Sequence, residues 1–202
     1  MYGTIKLRLL KRGSKLLTRS HRLVSVAIVE FGLIASNQFL IKTSPSSALV
    51  LLCATAIGAT LPDIDDYNSS ASRKSLINFS LFLRHRGITH SLIGWGIFSL
   101  LLYFLMSKIM PLNLEELSSF QHPNCWLSLW LGFSIGYFLH LVEDAFSHHG
   151  INWLAPFTNR KKYRRFFHYK VGGFFEKLLT LIAVLAIIFM TGYWLLNFIN
   201  IK

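Results

Sequence analysis

The chain has 202 residues, of which 52% are apolar and only 15% charged, yet its formal net charge is +12. A soluble domain is usually about a quarter charged, so this composition excludes an ordinary water-soluble fold and indicates a polytopic membrane protein with its cations gathered in patches. Attraction to anionic lipid headgroups accounts for the charge; nucleic-acid binding is excluded because no soluble domain is left over to do it.

The first 22 residues carry seven cations, Lys6, Arg8, Lys11, Arg12, Lys15, Arg19 and Arg22, with Ile5, Leu9, Leu10, Leu16 and Leu17 between them. This pattern predicts a basic interfacial helix whose long side chains snorkel to the headgroups. A secretory signal is the alternative, but the basic stretch is too long and no A-x-A site closes the apolar one. Apolar segments follow at Leu23–Ile41, Ala48–Leu61, Ile88–Met110, Cys125–Phe146 and Leu178–Ile199. Three exceed the roughly 20 residues needed to span hydrocarbon, and the first approaches it. The second, with 14 residues, is expected to span only because its lower end opens into a wet, protein-walled site. The predicted fold is all-α: a polytopic membrane helix bundle of about five transmembrane helices behind the basic N-terminal helix, forming one domain over residues 1–202.

Orientation follows from the cations. With the N-terminus inside, the inner segments are 1–22, 62–87 and 147–177, and they hold 7, 4 and 7 of the Lys and Arg residues, 18 of 21. Lys42, Lys108 and Lys202 remain outside, so the positive-inside rule puts the N-terminus in the cytoplasm. The outer connections are a tight turn near residue 44 and a loop from Pro111 to Asn124 that holds Glu115, Glu116 and His122 but no cation. Two cysteines give no disulfide framework; Cys53 and Cys125 read as packing residues, at mid-membrane and at the far surface.

Four polar clusters fall at one depth. They are His21 at the start of the first span, Leu61-Pro62-Asp63-Ile64-Asp65-Asp66 after the second, Arg84-His85-Arg86-Gly87-Ile88-Thr89-His90-Ser91 before the third, and His140-Leu-Val-Glu143-Asp144 at the end of the fourth. His140 and Asp144, four apart on a helix, project from one face and can reach one cation. Asp63 and Asp65, two apart after a proline, would point the same way from an extended turn. Nitrogen and oxygen donors without thiolate suit zinc, manganese, iron or nickel.

Each cluster has a plainer reading. His21 alone would be a polar tip at an interface, Asp63 a helix stop, and Arg84 and Arg86 lipid anchors. Their convergence from four segments outweighs these, because ionisable groups near hydrocarbon are costly unless paired. Glu30, in the middle of the first span, is expected to face the bundle interior, protonated or hydrogen-bonded, in a structural contact.

The sequence resembles the YdjM-like family of LexA-regulated, inner-membrane-bound metal-dependent hydrolases. The resemblance is carried by His21, the run LPDID at Leu61–Asp65, the run HRGITHS at His85–Ser91, the stretch Gly136–Pro156 with His140 and Asp144, and Gly172-Gly173 followed by Glu176. It implies a helical fold in the bacterial inner membrane and a hydrolase with a metal centre. Asp66-Tyr67 after LPDID departs from the family pattern, and His148 and His149 match no position in it. The order His140-x3-Asp144 with a histidine soon after is also similar to zinc-dependent phospholipases C, which favours phosphoesters over amides.

Two functions are therefore expected. The first is a hydrolase of a phosphoester in a lipid or lipid-linked substrate at the cytoplasmic face, using water whose pKa a divalent ion lowers toward about 7. Zinc is favoured, with manganese or iron as alternatives, as one ion or two. His21, Asp63, His90, His140 and Asp144 are the leading ligands, with His85 and Asp65 next; Asp65 or Asp66 would accept the water proton, and Arg84 and Arg86 would clamp the phosphate in a bidentate fork. The basic and aromatic run from Asn159 to Lys170 would anchor the protein or hold anionic headgroups. The second is a metal-binding membrane protein without turnover, a cation carrier or an assembly factor. A carrier would place its ligands near the bilayer midplane, whereas here all but Glu30 lie at one surface. Oligomeric state leaves no mark on the sequence.

Overall fold

The computed structural model describes residues 19–36, 44–65, 87–112, 124–147, 150–157 and 173–200. The described chain is helical, with α1 over residues 19–36, α2 at Pro45–Gly58, α3 at Leu92–Ile109, α4 at Cys125–Ala145 and α5 at Phe174–Asn200. Two short 3-10 turns, Pro62–Asp65 and Ile88–His90, follow α2 and precede α3. Residues 1–18 of the expected interfacial helix, most of the loop from Pro111 to Asn124, and the run from Asn159 to Lys170 lie outside the described residues.

The helix starts are written locally. Ser44 caps α2 by accepting from the Ser47 amide at 3.3 Å, with Pro45 in the first turn. Ser91 accepts from the Gly94 amide at 3.1 Å, and the Asn124 side-chain oxygen accepts from the Leu127 amide at 3.0 Å. Each cap satisfies one of the amides that a helix start leaves without an intrahelical partner.

Among the described residues, three helices are long and apolar enough to cross a membrane: Leu92–Ile109, Cys125–Ala145 and Phe174–Leu196. Pro45–Gly58 is apolar but shorter. Outward positions on α3 and α5 carry large apolar side chains, among them Leu100, Phe104, Leu185 and Phe189, as expected of a surface solvated by lipid tails. Cys53 and Cys125 are exposed on this outer surface, which corrects their reading as packing residues. On an all-apolar helix the sequence does not mark which face turns inward.

α2 and α4 cross at close range. A Cβ on Gly132 would lie 2.6 Å from the Leu51 carbonyl oxygen, and one on Gly136 would lie 2.3 Å from that of Thr55. Two small residues four apart thus let the backbones approach as they do where membrane helices pack closely. This contact fixes the end of α2 against the last turns of α4. Tyr137, Leu141, Ala145 and Ile151 pack together beside it, against Leu61, Trp95, Phe98 and Trp153. Trp95 donates to the Ser134 carbonyl at 2.9 Å, which ties α3 to the same region of α4.

Glu30 meets its expected partner type. The Thr191 hydroxyl donates to its carboxyl at 2.8 Å, linking the middle of α1 to α5. The pair borders a 410 Å³ cavity walled by Leu33, Ala48, Leu52 and Trp194.

Candidate metal centre

The start of α1, the end of α2, the start of α3 and the end of α4 meet at one end of the bundle. His21 comes from the first, Asp63 from the 3-10 turn after the second, His90 from the turn before the third, and His140 and Asp144 from the fourth. All five are buried, none more than 6% exposed. Each is where its local sequence puts it. Pro62 opens the turn that carries Asp63. The Tyr137 hydroxyl donates to the Thr89 carbonyl at 2.6 Å and so holds the turn ending in His90 against α4. His140 and Asp144 are one helical turn apart and share a face.

The three imidazoles are oriented alike. His21 Nδ1 lies 2.7 Å from a Glu143 carboxylate oxygen, and His140 Nδ1 lies 2.8 Å from the Ala59 carbonyl oxygen. With protons on those nitrogens, each Nδ1–H donates outward and each Nε2 keeps its lone pair for the centre. His90 Nδ1 is 3.3 Å from the Thr89 hydroxyl, on the side away from its Nε2. Among the described residues, neither His21 Nε2 nor His140 Nε2 has a hydrogen-bond partner. The His21 and His140 rings are 4.4 Å apart, and those of His90 and His140 5.4 Å.

The carboxylates face those nitrogens at distances too long for hydrogen bonds. Asp144 reaches His21 and His90 Nε2 at 3.6 Å each with its two different oxygens, and His140 Nε2 at 3.9 Å. Asp63 Oδ1 lies 3.6 Å from His140 Nε2 and 4.0 Å from His90 Nε2. Two donors on one small divalent ion stand about 3.0–3.5 Å apart when adjacent and about 4.2 Å when opposite, given bonds near 2.1 Å. The observed spacings fall at the wide end of that range. His21, His140 and Asp144 form one group of possible ligands and Asp63, His90 and His140 another, with donor atoms in each within 4.8 Å of one another. Buried, inward-facing imidazole nitrogens beside carboxylates are a donor set that a divalent cation fits.

The structure thus brings together His21, Asp63, His90, His140 and Asp144. Asp66, Arg84, His85 and Arg86 lie outside the described residues, as do His148 and His149, and only the backbone of Asp65 is described. Pro62–Asp65 is a 3-10 turn and not an extended one, so residues two apart there do not share a face, and the spacing argument for Asp65 joining Asp63 lapses.

The sequence reading gave no role to Glu143, Ser25 or Ser20. Ser25, four residues after His21 on α1, donates to Glu143 at 2.9 Å. Ser20 donates to the buried Glu176 at 2.9 Å, which ties α1 to the first turn of α5. The signal for Ser25 was its i+4 spacing from His21; for Glu143 it was a carboxylate three residues after His140 in an apolar helix.

A helical membrane protein with a buried group of histidines and aspartates able to hold a metal ion is the class that fold and site define. The chain belongs to the YdjM inner membrane protein family, whose profile matches residues 16–201. It is 33% identical over 134 residues to the uncharacterized protein YvsG of Bacillus subtilis, covering 64% of this chain and 71% of the relative. It is 28% identical over 144 residues to the uncharacterized protein YfhP of the same organism, covering 71% of this chain but only 38% of YfhP's length. No solved structure matches it.

Proposed function

We propose that this protein is a membrane-embedded, metal-dependent hydrolase of a phosphoester in a lipid or lipid-linked substrate, acting at the cytoplasmic face. The observation that carries the reading is the convergence of five buried nitrogen and oxygen donors from four chain segments, with their imidazole Nε2 atoms turned toward one another. Both groups of donors contain His140. One neutral imidazole nitrogen has one lone pair to give, so His140 can serve one of the two groups at a time, and the donors fit one ion or two. Each group offers three nitrogen and oxygen donors without thiolate, a set that supports zinc, with manganese or iron as alternatives.

A divalent ion held there would supply Lewis acidity, making water nucleophilic at neutral pH and drawing charge from a phosphoryl oxygen. His21, Asp63, His90, His140 and Asp144 would hold it. Their two carboxylates match its charge, leaving the site near neutral overall and able to take an anionic substrate. Arg84 and Arg86, next to His90 in the chain, would bind phosphate oxygens, and Asp65 or Asp66 would take the proton from water. Position at the ends of the helices, beside the cation-rich segments 62–87 and 147–177, supports a cytoplasmic site reached from the inner leaflet.

The test is metal loading of the purified protein after chelation, followed by assay of a phosphatase and phospholipase panel with wild type and His140→Ala. The proposal expects a metal-dependent hydrolysis that the substitution removes. Metal bound by the wild type with no ester hydrolysed would favour a carrier or an assembly factor instead.

A further inference from the structure

Glu143 lies on the same turn of α4 as Asp144 but faces away from the donor group. Its two oxygens are both engaged on α1: Oε2 with His21 Nδ1 at 2.7 Å and Oε1 with the Ser25 hydroxyl at 2.9 Å. His21 and Ser25, four apart, form one face of α1 and take the carboxylate between them. The carboxylate is thus held from one side by a hydroxyl and presents its other oxygen to the imidazole. With the proton on Nδ1, that arrangement holds the ring so that Nε2 faces Asp144 at 3.6 Å. Of the two other imidazoles nearby, His140 has a backbone carbonyl in the same role. His21 takes a carboxylate in that role, and it reaches the centre from α1 while Asp144 stands on α4.

We propose that Glu143 is a positioning residue: with Ser25 behind it, it orients His21 toward the ion and raises the basicity of its Nε2. The inference rests on the metal-centre reading above but concerns a residue outside the donor set. A carboxylate on the far nitrogen of a ligating histidine strengthens metal binding, and its loss typically costs about 10–100-fold in affinity. The carboxylate also couples the ends of α1 and α4, so the geometry of the centre depends on it.

The experiment uses the full chain in detergent, titrated with Mn²⁺ and, for spectroscopy, Co²⁺. Glu143→Gln keeps the side chain's size and removes its charge; Ser25→Ala leaves Glu143 in place and removes only its support. We expect Glu143→Gln to weaken Mn²⁺ binding about 10–100-fold and to shift the Co²⁺ visible absorption. Ser25→Ala should weaken binding less, and the double variant should bind no more weakly than Glu143→Gln alone, since the two act as one unit. Unchanged affinity and an unchanged Co²⁺ spectrum in Glu143→Gln, with metal-free stability lowered, would overturn the proposal in favour of a plain structural contact. Additive losses in the double variant would overturn the relay. If the wild type itself binds neither ion, the metal-centre reading fails before this one is reached.

Discussion

Gly136→Ala tests whether the α2–α4 crossing builds the centre. The added Cβ would lie 2.3 Å from the Thr55 carbonyl oxygen and 2.8 Å from the Ala59 amide nitrogen. Ordinary contact begins at 3.4 Å, so the two backbones must part by about 1 Å. Overpacking of this kind costs about 1–3 kcal/mol. The same displacement acts on the site, because Ala59 supplies the carbonyl that orients His140, and Asp63 follows four residues later. Metal sites tolerate about 0.2 Å in their bond lengths, so a shift of about 1 Å in one donor relative to another should lower affinity at least about tenfold, equivalent to about 1.4 kcal/mol. Isothermal titration with Mn²⁺ measures the affinity and thermal unfolding of the metal-free protein measures the packing. Gly96→Ala is the control, since nothing lies within 4 Å of a Cβ there. Wild-type affinity in Gly136→Ala would refute the claim that this crossing sets the geometry of the centre.

Other outcomes follow from the same structure. His90→Ala and Asp144→Ala should each lower bound metal well below the wild-type stoichiometry, by elemental analysis of the purified variants, because each removes a buried donor from a separate segment. Metal affinity should fall on acidification, since an imidazole binds an ion only when it has released its second proton; titrations across a pH series read this, and affinity that rises toward acid would count against histidine ligands. Thr191→Val removes the hydroxyl that donates to Glu30 and should destabilise the bundle by about 0.5–1.5 kcal/mol, by unfolding in mixed micelles, while leaving metal content unchanged.

Much of the candidate site could be read from the chain because its residues stand out against an apolar background. His140 and Asp144 were legible by helical spacing, and His21, Asp63 and His90 by their common depth at the ends of apolar segments. The role of Glu143 was not legible. It depends on the rotation of α1 against α4, and no local pattern encodes that rotation. The 3-10 turn at Pro62–Asp65 is not legible in the chain, because a proline opening permits both 3-10 and extended conformations. Helix positions were clear from hydropathy, but inward faces were not: the apolar stripes are nearly uniform around α2 and α3, so Cys53 gave no sign that it points outward. What marks the inward face is small size, at Gly132 and Gly136, and buried hydrogen-bonding side chains such as Glu30.

Metal-edge X-ray absorption on protein reloaded with manganese bears most directly on the metal centre. We expect one ion or two per chain in a shell of nitrogen and oxygen scatterers at roughly 2.0–2.2 Å, with imidazole ring scattering that declines in His90→Ala. An ion count near zero after reloading, or a shell without imidazole, would contradict the reading of these converging side chains as a metal centre.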